Sequence, residues 1–448
     1  MKRLEVKRNI AEEANFMIIN SIEIRGYRNL QHIKLDISKI ASLVAPNGYG
    51  KSNVLDAIKF GIDFIIKPPK TRNKMMRFKP AIPISRHMDK CVCQFVFHMQ
   101  DNSSTYPRFA EYSFSFAWQN DQGTGGKILT EILRLKNVEK NESKFSTFIS
   151  RDEKNAKYKT SQTGRCNNNI TVNTNELVLS KLSIIGDLFY SETINKIAEL
   201  TFYIEDRMDI YNNYDIVALR RNNFIRDSLD IEDMDDIPRY IYFLKKNYPD
   251  KYEQLEYAFK LLFPNFTDIL TSESEFKTDK PLPVTTELPF FIDEKVYKLE
   301  LMDINLIHQI HFDYLSNGTK RIFALLVALL AADINNISLI ALEEIETSIH
   351  PALMKSFINI IEQFAGDTRI IFTSHSPYII DYLEPHEIYL PIPNNKGLAE
   401  FANVSNTRKA NKLIKDASAY DTTLGGYIFS LLSGDEDDFI KMRSYLGG

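Results

Sequence analysis

With 448 residues, 44% of them hydrophobic and 25% charged, the chain is long enough for two or three lobes with cores of their own and is not a disordered tail. A formal net charge of −4 excludes recruitment of nucleic acid or anionic membrane by bulk charge. The three cysteines, Cys91, Cys93 and Cys166, are too few for a disulfide framework and lack C-x-x-C spacing, so a reducing, cytoplasmic setting is expected and thiolate metal binding is not.

In chain order, Phe16 to Val44 alternates apolar and polar residues in short runs broken by Gly26 and Asn29, which predicts three strands. The third feeds "VAPNGYGKSN", Val44 to Asn53, and "SNVLDAIKFGIDFII" then sets Val54, Leu55, Ile58 and Ile62 at helical spacing until two prolines forbid continuation. Next comes "KPPKTRNKMMRFK", Lys67 to Lys79, a predicted loop with six positive charges and no acid, enough for several phosphate contacts with DNA and equally readable as a solvated or protein-docking loop. From Cys91 to about Tyr158, "CVCQFVFHM", "AEYSFSFAW", "KILTEILRL" and "KFSTFIS" predict an antiparallel β subdomain, closed by the polar loop "TSQTGRCNNNITVNTN". Leu179 to about Phe263 turns helical without sustained heptads. The longest apolar run, Ile322 to Ile334, has 13 residues, short of the ~20 a bilayer span needs, and no apolar N-terminal block looks like a signal peptide. Domains are expected at 1–178 for an N-terminal half with the glycine-rich loop and β subdomain, 179–278 for a helical lobe, and 279–448 for a C-terminal half.

Four segments carry chemistry. In the first, Ala45, Gly50, Lys51 and Ser52 fit the spacing G-x-x-x-x-G-K-[ST] except at its first glycine, with an extra Gly48. In such a loop, consecutive N–H groups and the positive end of a helix face a phosphate, the Lys adds a point charge and the hydroxyl ligates magnesium. Alanine at the first position costs little if its φ is negative. The second is "YLSNGTKRIFALLVALL", where Ser316, Asn317 and Gly318 precede a long apolar helix and offer a second anion site, though Ser316 reads equally as an ordinary helix cap. The third is "ISLIALEEIETSIHP": a buried strand, Ile337 to Leu342, delivers Glu343 and Glu344 at its C-terminal end, one for a magnesium water shell and one to orient an attacking water, or else a solvated helix start. In the fourth, "RIIFTSHSPYII", a strand from Arg369 to Thr373 ends in Ser374 and His375, a donor for a γ-phosphate or a structural histidine. "GDEDD", Gly434 to Asp438, reads as a solvated acidic turn.

Taken together in this order, the motifs resemble an ABC-type ATPase of the RecF/SMC/OLD branch over nearly the whole length. The resemblance implies an α/β ABC ATPase head with a P-loop sheet core, an antiparallel β subdomain and an inserted helical lobe. It implies ATP and Mg2+ as ligands, with Asn47, Gly48, Tyr49, Gly50, Lys51, Ser52 and Asn53 as the phosphate loop, and Ser316, Asn317 and Gly318 as the signature. Ser52 and Glu343 would hold the metal, and Glu344 and His375 would be the catalytic base and switch histidine. Ala45 for Gly and Glu343 for the more usual Asp depart from the pattern, as does Ile345 where an "EEPE" variant has Pro, and the longer Glu343 implies slower turnover. No Q-loop glutamine is assignable, since Gln94 lies inside a predicted strand.

The resemblance further implies a head-to-head homodimer or higher homo-oligomer, in which Ser316 of one copy closes on ATP held by Lys51 of the other. Against a transporter motor stand "LSNGTK" in place of "LSGGQ", the β-rich block and the start "IEIRGYRNL". A RecF-like role in DNA repair, through the basic segment, is the alternative. The chain is also similar to stand-alone ATPase subunits of anti-phage systems such as Septu, PARIS and OLD-like modules. Only about 60 residues follow the His375 region, too few for a TOPRIM nuclease of OLD type, so a separately encoded nuclease or toxin effector is expected.

Overall fold

The computed structural model describes residues 16–83, 92–101, 108–120, 122–137, 144–205, 219–220, 237–275, 291–292, 295–392, 397–404 and 406–447. By internal contacts the chain forms two units, Met1–Ile204 with Asn336–Ala341 and Asp367–Gly448, and Glu205–Asn335 with Leu342–Gly366. The boundary expected at residue 178 falls on the first residue of a helix, and the one at 278 lies outside the described residues.

Unit 1 opens with β1 (Met17–Tyr27), β2 (Leu30–Asp36) and β3 (Ile40–Val44), then α1 (Lys51–Ile66) and α2 (Pro69–Met75). There follow β4 (Val92–Asp101), β5 (Arg108–Ala117), β6 (Lys127–Asn137), β7 (Ser146–Arg151), β8 (Ala156–Tyr158), β9 (Asn168–Asn169), α3 (Val178–Ile185), α4 (Ser191–Ala198) and β10 (Phe202–Glu205), whose last residue is the first of unit 2. Unit 2 holds β11 (Leu219–Arg220), α5 (Ile237–Asn247), α6 (Pro249–Leu262), β12 (Phe266–Glu275), β13 (Phe291–Ile292), β14 (Lys295–Asp303), β15 (Ile310–His311) and α7 (Asn317–Ile334). The chain then runs through β16 (Leu339–Glu343), which begins in unit 1 and ends in unit 2, and α8 (Pro351–Phe364) of unit 2. It finishes in unit 1 with β17 (Arg369–Ser374), α9 (Pro377–Ile380), β18 (Ile388–Pro391), β19 (Phe401–Asn403), α10 (Thr407–Ala419), α11 (Leu424–Leu432) and α12 (Glu436–Tyr445).

The strands expected before the glycine loop and across residues 91–150 are present as β1 to β7. They do not form separate blocks. One eight-stranded sheet, in the order β2-β1-β4-β5-β6-β7-β8-β9, joins β1 and β2 to the β subdomain, because β1 pairs antiparallel with β4 from Met17 opposite Asp101 to Arg25 opposite Gln94. The second sheet, in the order β10-β16-β17-β3-β18-β19, has β3 parallel to both β17 and β18, and its inner strands β16, β17, β3 and β18 are the largely buried apolar runs that a covered parallel sheet requires.

Helix α1 lies on the eight-stranded sheet through aromatic rings. Phe64 stacks on Phe114 at 5.0 Å and on Phe116 at 4.8 Å, while Phe60, one turn earlier, meets Trp118 at 5.7 Å. Gly61 permits this approach, since a Cβ there would stand 2.6 Å from the Phe95 ring. The basic segment after α1 is not the loop that its sequence suggests: Pro69 takes the first helical position, where a missing N–H costs nothing, and starts α2. Arg72 turns inward, 1% exposed, donating to the carbonyls of Phe64 at 2.6 Å and Ile65 at 2.8 Å and so closing the end of α1. Lys67, Lys70, Lys74, Arg77 and Lys79 remain exposed.

In unit 2, α7 is buried from Lys320 to Ala332, with Phe323 packed against Phe259 at 5.2 Å and Phe312 at 5.2 Å. The three-stranded sheet β12-β14-β15 precedes it. The acidic turn at residues 434–438 is a helix start, with Asp435 accepting from the N–H groups of Asp437 and Asp438 at the head of α12. No helix among the described residues is long and apolar enough to cross a membrane.

Glu131 on β6 is fully buried and accepts from the N–H groups of Val178 at 2.7 Å and Leu179 at 2.9 Å, and from the Tyr112 hydroxyl at 2.9 Å. Burial raises its pKa and the two backbone donors oppose that rise, so the carboxylate serves as the cap that α3 lacks at Leu177. Glu131→Ala strands three buried donors and is expected to lower the unfolding free energy by about 2 to 4 kcal/mol, read from denaturant midpoints at constant m.

Candidate functional site

Val44 is the last residue of a fully buried strand, and the chain turns through Ala45–Gly50 into α1. Gly50 is the N-cap of α1 and gives it no side-chain cap, so the positive end of the helix meets the glycine loop. Gly48 (φ 77°) and Gly50 (φ 119°) are left-handed. A Cβ on Gly50 would stand 2.8 Å from Ala399 Cβ, whereas one on Gly48 would meet nothing within 4 Å, so that side of the loop is open. Ala45 is not among the left-handed residues; it is 1% exposed, and its N–H donates to the Ser374 carbonyl at 3.3 Å. The missing first glycine therefore carries no backbone strain.

Lys51 is buried, and its ammonium donates to the Ala45 carbonyl at 2.6 Å and the Pro46 carbonyl at 3.3 Å, which holds it against the loop. Ser52, on the first turn of α1, is exposed, as are Asn47 and Gly48. Two loop residues point elsewhere. The Tyr49 hydroxyl donates to the Ile392 carbonyl at 2.7 Å, and its ring meets Phe401 edge-on at 5.3 Å. Asn53 donates to Asn29 Oδ1 at 2.8 Å and accepts from Arg28 at 2.8 Å. The β1-β2 turn that supplies this support includes Arg28 at φ 47°, a left-handed non-glycine whose guanidinium also reaches the Pro80 carbonyl and Asp56. Sequence reasoning missed this buttress; the signal was "YRNL", a polar turn between two apolar strands.

Strand β17 runs parallel to β3 with Ser374 opposite Val44, so His375 leaves the sheet beside Ala45, and it is exposed there. Ser374 Oγ accepts from the Ser376 N–H at 2.9 Å, and Ser376 in turn caps α9 through the Tyr378 N–H, which fixes the backbone on which His375 stands. Unit 1 thus brings together the phosphate loop and the histidine.

Unit 2 carries the remaining residues. Ser316 is the N-cap of α7, exposed, accepting from the Thr319 N–H at 3.2 Å and lying 2.8 Å from its hydroxyl, which is the ordinary helix cap that the sequence also allowed. Asn317 and Gly318 form the first turn of that helix. Glu343 ends β16, and Glu344 follows in the left-handed region (φ 46°, ψ 52°), a conformation that costs an L residue about 1 to 2 kcal/mol and that surrounding structure must impose. Both are half-buried. Among the described residues no group of three or more His, Cys, Asp or Glu is arranged for a metal ion. The exposed Ser52 hydroxyl, the uncapped helix start and the Lys51 ammonium are a donor set that fits a magnesium-bound triphosphate.

Strand, glycine loop and helix, with a parallel neighbouring strand that delivers a histidine beside the loop, define a P-loop nucleotide-binding domain, and its further motifs follow the order of ABC-type ATPases. Over residues 40–381 the sequence matches the family described as "AAA domain, putative AbiEii toxin, Type IV TA system", which is well over half of the chain. The chain belongs to that family. No curated protein matches it. Among solved structures it is similar to the SMC head bound to the C-winged helix domain of ScpA, at 13% identity over 88% of this chain and 99% of that one, with a TM-score of 0.44. It is also similar to the SMC head domain from Thermotoga maritima, at 11% identity over 87% and 100% of the two chains with a TM-score of 0.41. The recombination mediator protein RecF with ATPrS is a third, at 11% identity, 87% and 100% coverage and a TM-score of 0.37.

Two outcomes are expected from the loop. Ala45→Gly leaves affinity for a fluorescent ATP analogue within about threefold, because no left-handed residue is relieved, while the lost buried methyl lowers stability by about 1 kcal/mol. Burial pushes the Tyr49 phenol from 10.0 up to about 12. Its stabilising share is therefore complete below about pH 10 and is lost as pH rises through about 12, because the unfolded phenol gives up its proton first. In Tyr49→Phe the alkaline decline of stability in that window becomes shallower, measured by thermal melts against pH.

Proposed function

We propose that the protein is a cytoplasmic ATP-binding and hydrolysing ABC-type ATPase whose nucleotide-dependent dimer or oligomer controls a separate nuclease or toxin effector in anti-phage defence. The observation that carries the ATPase part is the left-handed, uncapped Gly48–Gly50 turn, with Lys51 buried behind it and His375 emerging at the adjacent strand end. The family description, which names a putative AbiEii toxin and a type IV toxin–antitoxin system, supports the toxin side of this reading.

In this reading Asn47, Gly48, Tyr49 and Gly50 shape the loop around the β- and γ-phosphates, with their backbone and the first turn of α1 facing the oxygens. Tyr49 and Asn53 act through the supports they grip. Lys51 exchanges the Ala45 and Pro46 carbonyls for phosphate oxygens. Ser52 and Glu343 would hold magnesium, whose charge, when bound, would offset that of the phosphoryl group. Glu344 orients the attacking water and accepts its proton, and His375 donates to the γ-phosphate. Ser316, Asn317 and Gly318 of a second copy supply the other anion contact, which makes ATP part of the interface.

Ser316→Trp is expected to abolish hydrolysis, with nucleotide affinity of the isolated chain kept within about threefold; turnover near the wild-type rate would sink the two-copy site. Glu344→Gln is expected to slow turnover by at least about a hundredfold and to accumulate an ATP-bound oligomer, seen by light scattering. For the effector, purification from the native host is expected to yield a second protein with nuclease or toxin activity. A chain that always came alone and cleaved nucleic acid itself contradicts this.

A second reading, an ATPase of DNA repair, is favoured by one feature. Lys70, Lys74, Arg77 and Lys79 are exposed on and after α2, and with Arg72 turned inward the surface count is one lower than the sequence implied. Binding of duplex DNA through them has a steep log–log salt dependence that flattens in Lys70→Ala/Lys74→Ala, and a salt-independent signal rejects it.

A further inference from the structure

Arg321 lies on α7 five residues after Ser316, within the buried stretch of that helix and only 5% exposed. A guanidinium at such a place is retained when fixed acceptors replace its water. Its Nη2 donates to the Glu343 carbonyl at 2.6 Å and to the Glu344 carbonyl at 3.1 Å. Both acceptors are main-chain atoms, so these bonds hold the turn itself. The turn is the one where Glu344 adopts φ 46° and ψ 52°. The helix that carries Arg321 is also the helix that Ser316 caps.

We infer that Arg321 is a positioning residue: it imposes the left-handed Glu344 backbone and ties the direction of that side chain to the helix that begins at Ser316. A shift of the first turns of α7 when Ser316 meets an anion is passed by this one side chain to the carbonyls on either side of the Glu343–Glu344 peptide. The inference rests on the proposed reading of Glu344 as the group that orients water. It predicts an effect on the rate of the chemical step and none on capture of the nucleotide.

The test is a double-mutant cycle on the full chain. Turnover, KM and binding of a fluorescent ATP analogue are measured for Arg321→Met, Arg321→Lys, Glu344→Gln and the two pairs R321M/E344Q and R321K/E344Q. Arg321→Met is expected to lower kcat at least about tenfold with KM and analogue affinity within about twofold, and Arg321→Lys to fall between it and the wild type. Each pair is expected to be no slower than Glu344→Gln alone, because the carboxylate that Arg321 aims is already gone. A structural role would multiply the two losses, or raise KM together with the fall in kcat, and either result overturns the inference, as does wild-type turnover in Arg321→Met. If Arg321→Met does not fold, the Arg321→Lys arm decides by the same criteria. Wild-type turnover in Glu344→Gln is a different failure: it removes the assignment of Glu344 itself.

Discussion

Everything the phosphate loop can do depends on α1 being unable to move. The loop offers backbone N–H groups, and such a cradle binds an anion well only when its geometry exists before the anion arrives. Phe64 supplies that fixity by stacking on Phe114 and Phe116, Phe60 meets Trp118 at a tilt, and Gly61 lets the Phe95 ring come close enough to complete the layer. The eight-stranded sheet in this sense backs the glycine loop, although no residue of the loop lies on it. The mixed sheet supplies the complementary element, carrying the loop on β3 and His375 on the parallel strand beside it.

A second theme is the use of buried charge at the ends of secondary structure. Arg72 closes the last carbonyls of α1, Glu131 satisfies the first N–H groups of α3, and Arg321 grips the two carbonyls of the turn after β16. In each case the partners are main-chain groups that secondary structure leaves unpaired, so one ion replaces several hydrogen bonds to water. Such ions specify where an element ends and which way the chain leaves it, which apolar packing alone does not.

Much of this was legible from local pattern. Strands β1 to β7, helix α1 and the apolar strands β16 and β17 follow from alternation, helical spacing and buried runs, and Lys51, Glu343 and His375 stand at the ends of α1, β16 and β17. What was not legible depends on partners distant in sequence. Nothing in β1 says that it will pair with β4, so the β subdomain looked separate. The double proline was read as a stop, and it was one for α1, but the same Pro69 begins α2. Arg72 counted among the exposed cations until its carbonyl partners were known. Tyr49 and Asn53 were recognisable as loop members, yet the directions of their side chains are set by Ile392 and Asn29. Arg321 did leave a trace, a cation at the head of an otherwise apolar helix, whose meaning lay in a turn that follows the helix.

The clasp between Tyr49 and the Ile392 carbonyl spans 343 positions of sequence, and Ala399, the neighbour that leaves room only for glycine at position 50, comes still later. On the ribosome the glycine turn therefore emerges long before the wall it leans on. A nascent chain can fold the eight-stranded sheet and seat α1 while the phosphate cradle still lacks one side. The turn is walled on both sides only once the β18–β19 pair has been made and folded back.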